Sequence, residues 1–554
     1  MKKSYPFIFK TFILLFVNLM CAQQAPGFMW MDNTSDPEVA HPKDMATDNE
    51  GNVYTVGYYN TSTLTFDNDH ILQNESGWEK IFLVKHSSSG EVLWAKSFGG
   101  NYIDLGNSVT VDANNNVYIT GKFRSTTVAF GDFTLTNSSV TGNASCFFAK
   151  LDSDGAVLWA HSAQQNDING NANDITVDTD GNVYATGSFI SNIIFDGVTY
   201  RSQSSGLKAS YIVKYNSTGS IVWVKVTRGS CEGNALTTDA DDNLYVTGNY
   251  SSPSSNPVTF GEIVLENSGV YLAKYDTLGD AVWVRTGNSA GINQNSYDIV
   301  CDEDDNVVIT GFFSSATINF SSTTLYNTNP TIEVFVVKYN SNGDIEWAKS
   351  AGGTGSDKGC KLTCDSQSNI FLSGYFQESM QLEGITLTTV NNNNPVFVAK
   401  FQSEGELVSA FAFESSFSFN DPNSANINYS IATTANGNLF AAARNLSSTI
   451  IGNTTIELQG MWIGKLEEMI LSTPKPLIKD FKLFPNPVTN VLNVESTGVI
   501  EQINIYNALG QKVLSSKVSL GTAASVNMAA LPAGYYIAEM ISNGTKTTKK
   551  VVKN

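Results

Sequence analysis

The sequence has few of the residues that most often carry catalysis or bind metal ions. Its 554 residues include only four histidines, and no two of them have the spacing of an HExxH zinc motif. Charged residues make up only 15% of the chain. These shortages exclude a sequence-local zinc protease motif. They leave any catalytic site to residues that meet only in the folded chain.

Long apolar runs are also scarce. One such run, Phe12–Met20, follows three lysines within the first ten residues, which is typical of a secretory signal. We predict a signal peptide over residues 1–22. In an alternative interpretation Cys21 is a lipid anchor, but the bulky Met20 stands where that signal needs a small residue. No later segment has the ~18 apolar residues of a membrane helix, so we expect no transmembrane segment after signal removal.

Cysteine and basic residues are in short supply. Five cysteines remain after the predicted signal, and this odd number argues against a complete disulfide framework. Between the signal and residue 475 the chain has 21 basic and 48 acidic residues, a net charge of about −27. Such a body repels phosphate backbones, so we expect no nucleic-acid partner. The charge also disfavours sulfated or uronic polysaccharides and favours neutral ligands, cations or basic partners.

What the sequence does contain is a repeat. Seven segments share Asp-x-x-x-Asn-(Val/Leu)-Tyr-x-(Thr/Val)-Gly, an aromatic-aliphatic run ending in lysine, and a glycine four residues before tryptophan. The seventh copy, from Thr434, has lost the aspartate and the last glycine, and the sixth has Ser409 in place of tryptophan. The asparagines recur about every 64 residues, at Asn52, Asn116, Asn182, Asn243, Asn306, Asn369 and Asn438.

Each repeat reads as four short strands. In the third repeat we predict strands over 174–177, 183–189, 211–215 and 221–226. Turns rich in Asp, Asn and Gly join them, because these residues tolerate hairpin backbone angles. Four short strands at a fixed period are typical of a β-propeller blade.

The two ends of the repeat region complement each other. After Lys465 the expected Gly-x-x-x-Trp strand is missing, whereas an extra strand containing Trp30 precedes the first repeat. Trp30 precedes the first repeat's aspartate by 18 residues, the spacing that separates Trp94 from the next aspartate. We therefore predict an all-β fold, a seven-bladed β-propeller over residues 23–470, in which the N-terminal strand completes the last blade and removes the free sheet edges.

Two segments of the repeat region resemble a known family. WAKSFGGNYIDLGNSVTVDANNNVYITG from Trp94 and WAKSAGGTGSDKG from Trp347 are similar to the bacterial SBBP-type β-propeller repeat, which has tryptophan, a Gly-Gly turn and Asp-x-x-Gly-Asn-Val-Tyr-x-Thr-Gly. Other copies lack the Gly-Gly pair. The resemblance implies a propeller in an exported protein, and it supplies no catalytic residues.

The tail differs from the repeats in charge and pattern. Residues 471–480 contain two prolines and read as a linker. Alternating short strands over 481–554 predict a small Ig-like β-sandwich.

This tail resembles the type A sorting domain of the Bacteroidetes type IX secretion system. The matching motifs are Phe484-Pro485-Asn486-Pro487, Ile505-Tyr506-Asn507 with Gly510-Gln511, Leu531-x-x-Gly534-x-Tyr536, and a lysine-rich final strand. The resemblance implies that the type IX secretion machinery is a partner and that the protein is secreted or attached to the outer-membrane surface. A plain Ig-like accessory module is the alternative.

Two sets of residues are candidate ligand sites. Paired carboxylates in the repeat turns could bind Ca²⁺, but the loops are too short for a full calcium loop, so hairpin turns are the preferred interpretation. The calcium candidates are Asp178, Asp180, Asp239, Asp241, Asp302 and Asp304. The repeated Trp and Tyr are expected to pack the blades. Aromatic residues in the variable loops are better ligand candidates than these, although the sequence assigns none of them to a site: Trp78, Tyr102, Tyr200 and Tyr326.

The residues assign no catalytic or cofactor-binding role. The repeats are near-regular and carry no large insertion rich in acids or histidines, which favours a non-catalytic surface protein that binds a glycan or protein ligand through its loops. A secreted hydrolase or lyase acting on polysaccharide or peptide is the main alternative, because propellers host enzymes readily. A purely structural envelope component is a third.

Overall fold

The structure is a computed structural model that describes most of the chain. The described residues are 26–34, 40–137, 142–165, 170–202, 206–252, 256–289, 293–327, 329, 331–388, 395–413, 429–445, 449–451, 454–456, 460–467, 482–507, 510–542 and 545–554. The predicted signal peptide (1–22) and linker (471–480) lie outside them. The chain forms two compact units, Met1–Met469 and Ile470–Asn554. Every regular element in the described residues is a β-strand, so the all-β prediction is confirmed.

Unit 1 begins with β1 (Phe28–Asn33) and continues through seven repeats. Repeat 1 comprises β2 (Ala40–Thr47), β3 (Val53–Tyr59), β4 (Thr63–Thr65), β5 (Ile71–Gln73), β6 (Lys80–His86) and β7 (Val92–Phe98). Repeat 2 comprises β8 (Asp104–Val111), β9 (Val117–Phe123), β10 (Thr127–Phe130), β11 (Phe133–Thr136), β12 (Ser145–Leu151) and β13 (Val157–Gln165). Repeat 3 comprises β14 (Asn171–Val177), β15 (Val183–Ile190), β16 (Asn192–Phe195), β17 (Val198–Arg201), β18 (Lys208–Tyr215) and β19 (Ile221–Val226).

The remaining repeats follow the same plan. Repeat 4 comprises β20 (Ser230–Thr238), β21 (Leu244–Ser252), β22 (Val258–Phe260), β23 (Ile263–Leu265), β24 (Asn267–Tyr275) and β25 (Ala281–Ser289). Repeat 5 comprises β26 (Gln294–Cys301), β27 (Val307–Phe313), β28 (Thr317–Phe320), β29 (Thr323–Tyr326), β30 (Glu333–Tyr339) and β31 (Ile345–Gly353). Repeat 6 comprises β32 (Lys358–Cys364), β33 (Ile370–Tyr375), β34 (Ser379–Leu382), β35 (Ile385–Thr388), β36 (Val396–Phe401) and β37 (Leu407–Phe413). Repeat 7 comprises β38 (Tyr429–Thr433), β39 (Leu439–Asn445), β40 (Thr449–Ile451), β41 (Thr454–Ile456) and β42 (Gly460–Leu466).

The four long strands of a repeat form one antiparallel sheet, as in the order β2-β3-β6-β7. A short hairpin between the second and third long strands is additional to the four predicted strands. Its strands have only three or four residues, too few to show a clear alternation in the sequence. Three of these hairpins, in repeats 3, 5 and 6, extend the sheet of the preceding repeat.

A bulge shifts the start of most first strands. β14 begins at Asn171, three residues before the predicted start, and its register shifts between Ala172 and Asp174. The extra residue interrupts the alternation of inward and outward side chains, which is why the sequence pattern shortened the strand. The same shift occurs in the first strands of repeats 1 to 6.

The N-terminal strand completes the sheet of repeat 7. β1 pairs antiparallel with β42, with Met31 opposite Gly464. The Trp30 indole donates a hydrogen bond to the Ser88 carbonyl of repeat 1 at 3.0 Å. Trp94 of repeat 1 donates in the same way to Ser153 of repeat 2, also at 3.0 Å. Trp30 therefore joins repeat 7 to repeat 1 as Trp94 joins repeat 1 to repeat 2.

The turn glycine of the repeat motif makes room for this tryptophan. Gly90 has a φ of +94°, and a Cβ added to it would lie 2.6 Å from the Trp30 ring. A side chain there would both strain the backbone and push the indole away. The glycine and the tryptophan of the motif thus belong to one contact between neighbouring repeats.

The apolar core follows the same cyclic order. The described residues of unit 1 form seven apolar clusters, one for each pair of consecutive repeats and one for repeats 7 and 1. In the last of these, Phe82 and Val84 pack with Phe440, Ala442 and Ile463. The first strands also lie side by side, with β38 of repeat 7 against β2 of repeat 1.

One hydrogen-bonded group explains the Asp, Asn, Tyr and Lys of the motif. In repeat 3, Asp178 accepts bonds from the Asn182 backbone at 2.7 Å and from the Tyr184 hydroxyl at 3.0 Å. Lys214 Nζ lies 3.7 Å from the same carboxylate and 4.8 Å from the Tyr184 ring centroid. The aspartate is buried, so its charge requires these partners. The group ties the turn to the second and third long strands.

Unit 2 is a five-stranded antiparallel sheet. Its strands are β43 (Lys482–Phe484), β44 (Val491–Asn507), β45 (Lys512–Asn527), β46 (Gly534–Ser542) and β47 (Thr545–Lys553). The pairing of β44 with β45 is irregular between Glu495 and Gln502, and this divides the sheet into two halves. Side chains of both halves, such as Leu492 and Val526 with Ile505 and Met540, share one apolar core.

Candidate functional site

Three aspartates meet where the first strands of unit 1 converge. Asp44, Asp174 and Asp298 come from repeats 1, 3 and 5. Each lies four residues before the turn aspartate of the repeat motif, which is Asp48, Asp178 or Asp302. Each carboxylate accepts a backbone N–H from the next repeat. The acceptor distances are 3.1 Å from Val109 to Asp44, 2.8 Å from Leu236 to Asp174 and 2.7 Å from Leu362 to Asp298. These bonds join neighbouring first strands.

Lys361 of repeat 6 lies among the three carboxylates, and we call the four residues the hub. Its Nζ is 2.7 Å from Asp44 Oδ1. Burial raises the pKa of Asp174 to about 6 and that of Asp298 to about 7. Burial alone would lower the pKa of Lys361, but the three carboxylates outweigh it and hold that pKa above its usual range. Lys361 therefore stabilises the three carboxylates, which repel one another.

A cavity of about 590 Å³ opens at the end of unit 1 where turns join the first and second strands; we call this the turn end. Turns of repeats 2 to 5 form its walls. Its acidic lining residues are Asp112, Asp178, Asp180, Asp239, Asp302, Glu303 and Asp305. Lys150 also lines the cavity, and lysines of the repeat motif lie beside Asp178, Asp239 and Asp302, so several of these acids have a cationic partner.

The calcium candidates occupy two kinds of position in these turns. Asp178, Asp239 and Asp302 are buried, and their oxygens already accept the bonds of the repeat motif. Asp180, Asp241 and Asp304 are exposed at the turn tips. Within the described residues, no group of three or more His, Cys, Asp or Glu side chains could hold a metal ion.

Two of the four candidate loop aromatics meet at the opposite end of unit 1, the loop end. Trp78 precedes β6 and Tyr102 precedes β8, and their ring centroids are 4.5 Å apart. Trp78 is 42% exposed. Arg124 directly follows β9; its guanidinium lies 5.2 Å from the Tyr102 ring centroid, and its Nε–H donates to the Gly142 carbonyl at 3.0 Å. Trp78, Tyr102 and Arg124 therefore form a solvent-facing aromatic and cationic patch, which we call the loop-end site.

The buried Asp104 positions this site. Its carboxylate accepts the Gly100 N–H at 2.7 Å and the Arg124 N–H at 3.2 Å. It also accepts the Ser125 hydroxyl at 2.7 Å, and that hydroxyl oxygen accepts the Tyr102 N–H at 2.8 Å. Burial raises the pKa of Asp104 to about 6, against the effect of these hydrogen bonds. One carboxylate thus fixes both the Tyr102 loop and the strand end that carries Arg124.

The same geometry explains the Gly-Gly turns that two of the repeats carry. Asp104 follows Gly100 by four residues, and where repeat 5 joins repeat 6 the Gly353 N–H donates to Asp357 at 2.8 Å. Repeats without the Gly-Gly pair carry no aspartate at the corresponding place. Gly-Gly and the later aspartate are therefore one structural unit.

The structure does not bring the other candidate aromatics into this site. Tyr200 packs edge-on against Phe195, with 6.1 Å between ring centroids, in the hairpin of repeat 3. Tyr326 is 65% exposed in the hairpin of repeat 5. Neither makes a ring contact with Trp78 or Tyr102 among the described residues.

One sequence pattern was missed by the sequence analysis. GNSAG at 287–291 matches the Gly-x-Ser-x-Gly form of a nucleophile motif. That motif acts at a sharp turn from a strand into a helix. Ser289 is instead the last residue of β25, where its hydroxyl bonds to Gln294 at 2.6 Å, and no helix occurs in the described part of the chain.

In unit 2 the sorting motif connects the first and last strands. Asn486 donates to the Lys550 carbonyl at 3.0 Å and accepts the Val552 N–H at 2.8 Å. Gly510 has a φ of +75° in the turn that begins at Asn507, a conformation that favours glycine. A Cβ at Gly534 would meet only Tyr536, at 4.0 Å, so packing does not require a glycine there. Phe484, next to Pro485 and Pro487, is 40% exposed.

The comparisons with known proteins bear mainly on this unit. Residues 482–554 match a family described as the secretion system C-terminal sorting domain. The chain is also 26% identical over 369 residues to an uncharacterized WD repeat-containing protein of Acanthamoeba polyphaga mimivirus. That match covers 54% of this chain and 26% of the viral protein, so the chain spans about a quarter of the length of the curated relative it matches.

Solved structures give weaker likenesses. A gluconolactonase from Xanthomonas campestris is 13% identical, with 63% of this chain and 96% of that chain covered and a TM-score of 0.30. The extracellular domain of a putative hybrid two component system from B. thetaiotaomicron is 7% identical, with 94% and 100% covered and a TM-score of 0.15. At these scores neither likeness carries an argument about function.

The sorting-domain prediction is confirmed by the family match. Among the described residues, no helix has the length and hydrophobicity that a membrane span requires. Residues 482–554 are a type IX secretion C-terminal sorting domain, which engages the secretion machinery, and the protein is therefore secreted or attached to the outer-membrane surface.

Proposed function

We propose that this protein is an exported, non-catalytic carbohydrate-binding protein. Its seven repeats are blades of a closed seven-bladed β-propeller of the SBBP type, followed by an Ig-like sorting sandwich, in a bacterium of the Bacteroidetes. The observation that carries the binding function is the exposed Trp78–Tyr102 pair at the loop end. Aromatic faces pack against the C–H faces of sugar rings, and nearby polar groups bind the hydroxyls.

The rigidity of the loop-end site supports a binding role. Trp78 lies in a loop closed by Asn74, whose amide donates to the Trp78 carbonyl at 2.8 Å, and Tyr102 is held through Ser125 and Asp104. Aromatic side chains held in place before a ligand arrives lose little freedom on binding. A scaffold of packed blades with a fixed aromatic patch in its loops suits recognition better than turnover.

The bonding of the hub also supports a non-catalytic role. Asp44, Asp174 and Asp298 each accept a backbone N–H from a neighbouring repeat. Carboxylates bound in this way hold strands together, so their positions follow from the needs of the fold.

A panel of neutral and acidic oligosaccharides tests the proposal by isothermal titration. We expect Trp78→Ala and Tyr102→Ala to weaken binding of the retained sugar at least tenfold, about the effect of losing one stacked aromatic ring. Tyr326→Ala removes an equally large exposed ring elsewhere and is the matched control. If all three variants bind like the parent, or if no sugar binds at all, the proposal is wrong.

A hydrolase or lyase acting on polysaccharide or peptide is the second candidate. The raised pKa values of Asp174 and Asp298, in a cluster with Lys361, favour it, because catalytic acids have such values. Mass spectrometry of the same panel, with a protein substrate added, would detect new chain ends. Cleavage that rises with protein concentration and disappears in Asp298→Asn would establish the enzyme and refute the non-catalytic proposal.

A further inference from the structure

Unit 2 presents large apolar side chains on the face of its sheet that points away from its core. Along β46, Tyr536 and Ala538 are buried, whereas Tyr535 is 62% and Ile537 44% exposed. Side chains alternate between the two faces of a strand, so Tyr535 and Ile537 lie on the same outer side. Large apolar side chains left in water at neighbouring positions are typical of an interaction surface.

The neighbouring strands continue this apolar surface and add a positive charge. Ile537 lies opposite Tyr506 of β44 and Lys550 of β47. Tyr535 lies opposite Val552 of β47, and residues that face each other across a strand pair share one side of the sheet. Tyr506 and Val552 are half-buried. Lys550 is exposed, with its Nζ 4.0 Å from the Tyr535 ring centroid. We call these five residues the outer face.

One carboxylate lies beside the outer face, and it is already bonded. Glu539 follows Ile537 by two residues, is buried, and accepts the Asn504 amide at 2.8 Å and the Tyr506 hydroxyl at 3.0 Å. These bonds hold the Tyr506 ring in place and satisfy the acid within the unit. The exposed charge of the outer face is therefore positive.

The sorting domain and the rest of the chain differ in net charge. Residues 482–554 contain seven lysines and three glutamates, a net charge of +4. The chain between the predicted signal and residue 475 has a net charge of about −27. A surface with exposed carboxylates would attract the first and repel the second. Charge therefore directs such a partner to the sorting domain.

The sorting motif sets up the outer face without forming it. Tyr536, the tyrosine of the motif, belongs to the core, and its hydroxyl donates to the Pro532 carbonyl at 2.8 Å. A shift of one residue in this strand would bring Tyr535 and Ile537 inside and Tyr536 outside. The motif tyrosine therefore fixes the register of β46, and the residues on either side of it are those that a partner can touch.

We propose that the secretion machinery recognises the sorting domain through the outer face, by means of an apolar surface that carries carboxylates at its edge. The family match gives the machinery as the partner, and the proposal adds the surface that it contacts and the chemistry of that contact. Burial of Tyr535 and Ile537 supplies the affinity, since apolar burial is the main driving force of protein association. Lys550 binds one carboxylate, and Lys512, exposed opposite Tyr506, binds another. Carbohydrate binding is not needed for this proposal.

Export of the full chain by the bacterium that produces it tests the proposal. Immunoblots measure how much protein reaches the cell surface and the medium and how much stays in the periplasm. We expect Ile537→Ser and Lys550→Glu each to lower the exported fraction about tenfold, the effect of losing one central contact of an interface. Lys550→Arg keeps the charge and should be exported like the parent.

Two matched variants are the controls. Val491 is also 44% exposed but lies in the other half of the sheet, and Lys482 is an exposed lysine of β43. We expect Val491→Ser and Lys482→Glu to be exported like the parent. Limited proteolysis of the purified variants shows whether each is folded like the parent.

Three results would overturn the proposal. The first is normal export of both Ile537→Ser and Lys550→Glu. The second is an equal loss of export in Val491→Ser, which would show that any exposed apolar residue of the unit matters. The third is a loss of export in Phe484→Ser alone, which would place recognition at the exposed Phe-Pro-Asn-Pro segment. None of these results bears on sugar binding by unit 1, so the two proposals fail separately.

Discussion

Replacing Trp30 tests whether the N-terminal strand closes the ring of repeats. Trp30 donates a hydrogen bond to Ser88 at 3.0 Å and packs against His86 and Phe440, with ring centroids 5.7 and 5.9 Å away. The hydrogen bond contributes ~1 kcal/mol and the aromatic contacts ~0.5–1.5 kcal/mol beyond burial. Because Trp30 is only partly buried, we expect Trp30→Ala to cost about 3 kcal/mol, near the lower limit for tryptophan truncation.

The neighbouring Met29 provides the matched control for this experiment. Met29 is on the same strand and 63% exposed, so Met29→Ala should change the free energy of unfolding by less than ~0.5 kcal/mol. Urea denaturation of the three proteins measures both values. If Trp30→Ala costs no more than Met29→Ala, the first strand is not part of the packed core and the reasoning fails.

Hydrogen exchange shows where that stability is lost. Trp30 lies between repeats 7 and 1, so Trp30→Ala should speed exchange in β42 and also in β6, more than 370 residues away in the chain. In a linear array of repeats the effect would stop at the repeat that contains the strand. Faster exchange confined to repeat 7 would therefore contradict a closed ring.

Three further predictions concern buried charges. Lys338 and Asp302 form an almost fully buried ion pair at 2.7 Å, so Lys338→Met should lower the free energy of unfolding in urea by roughly 3–5 kcal/mol. Lys400 and Asp365 are farther apart, at 3.9 Å, and more exposed, so Lys400→Met should lower it less. Equal losses would contradict this reasoning. Burial raises the pKa of Asp298 from 3.8 to about 7, so the folded state keeps a proton that the unfolded chain releases, and stability should fall as pH rises from about 4 to 7. Asp298→Asn should reduce this loss of stability between pH 4 and 7 by roughly 2–4 kcal/mol. An unchanged pH profile would show that Asp298 is not protonated in the folded protein. Asp104→Asn removes a carboxylate that accepts four hydrogen bonds, so it should lower the free energy of unfolding by roughly 1–3 kcal/mol and weaken sugar binding. Asp132→Asn, at an exposed position, should have neither effect.

Much of the repeat architecture could be predicted from the sequence because each repeat carries its own turn signals. Asp, Asn and Gly at fixed spacing specify tight turns, and the buried aspartate needs the tyrosine and lysine of the same repeat as partners. The 18-residue spacing from Trp30 to Asp48 also indicated that the N-terminal strand completes the last repeat. The pairing of β1 with β42 of repeat 7 agrees with this prediction. The short hairpin was missed because three or four residues carry too little pattern.

The candidate site was only partly visible in the sequence. Trp78 and Tyr102 were singled out as loop aromatics, but nothing in their spacing showed that they meet, since they belong to different loops. Arg124 and Asp104 carried no signal, because each occupies an ordinary strand or strand-end position in its repeat. The charge balance predicted that uronic ligands are disfavoured, and this stays a prediction.

The sequence by itself determined the β-strand content, the sorting domain and the spacing that brings the first strand to the last repeat. These properties are local, or depend on one fixed distance along the chain. Only the tertiary structure decided which charges and rings become neighbours. Asp44 and Lys361 are separated by 317 residues and lie 2.7 Å apart, because the first strands of all the repeats converge. Contacts of this kind depend on the packing of whole repeats, and no local pattern of residues encodes them.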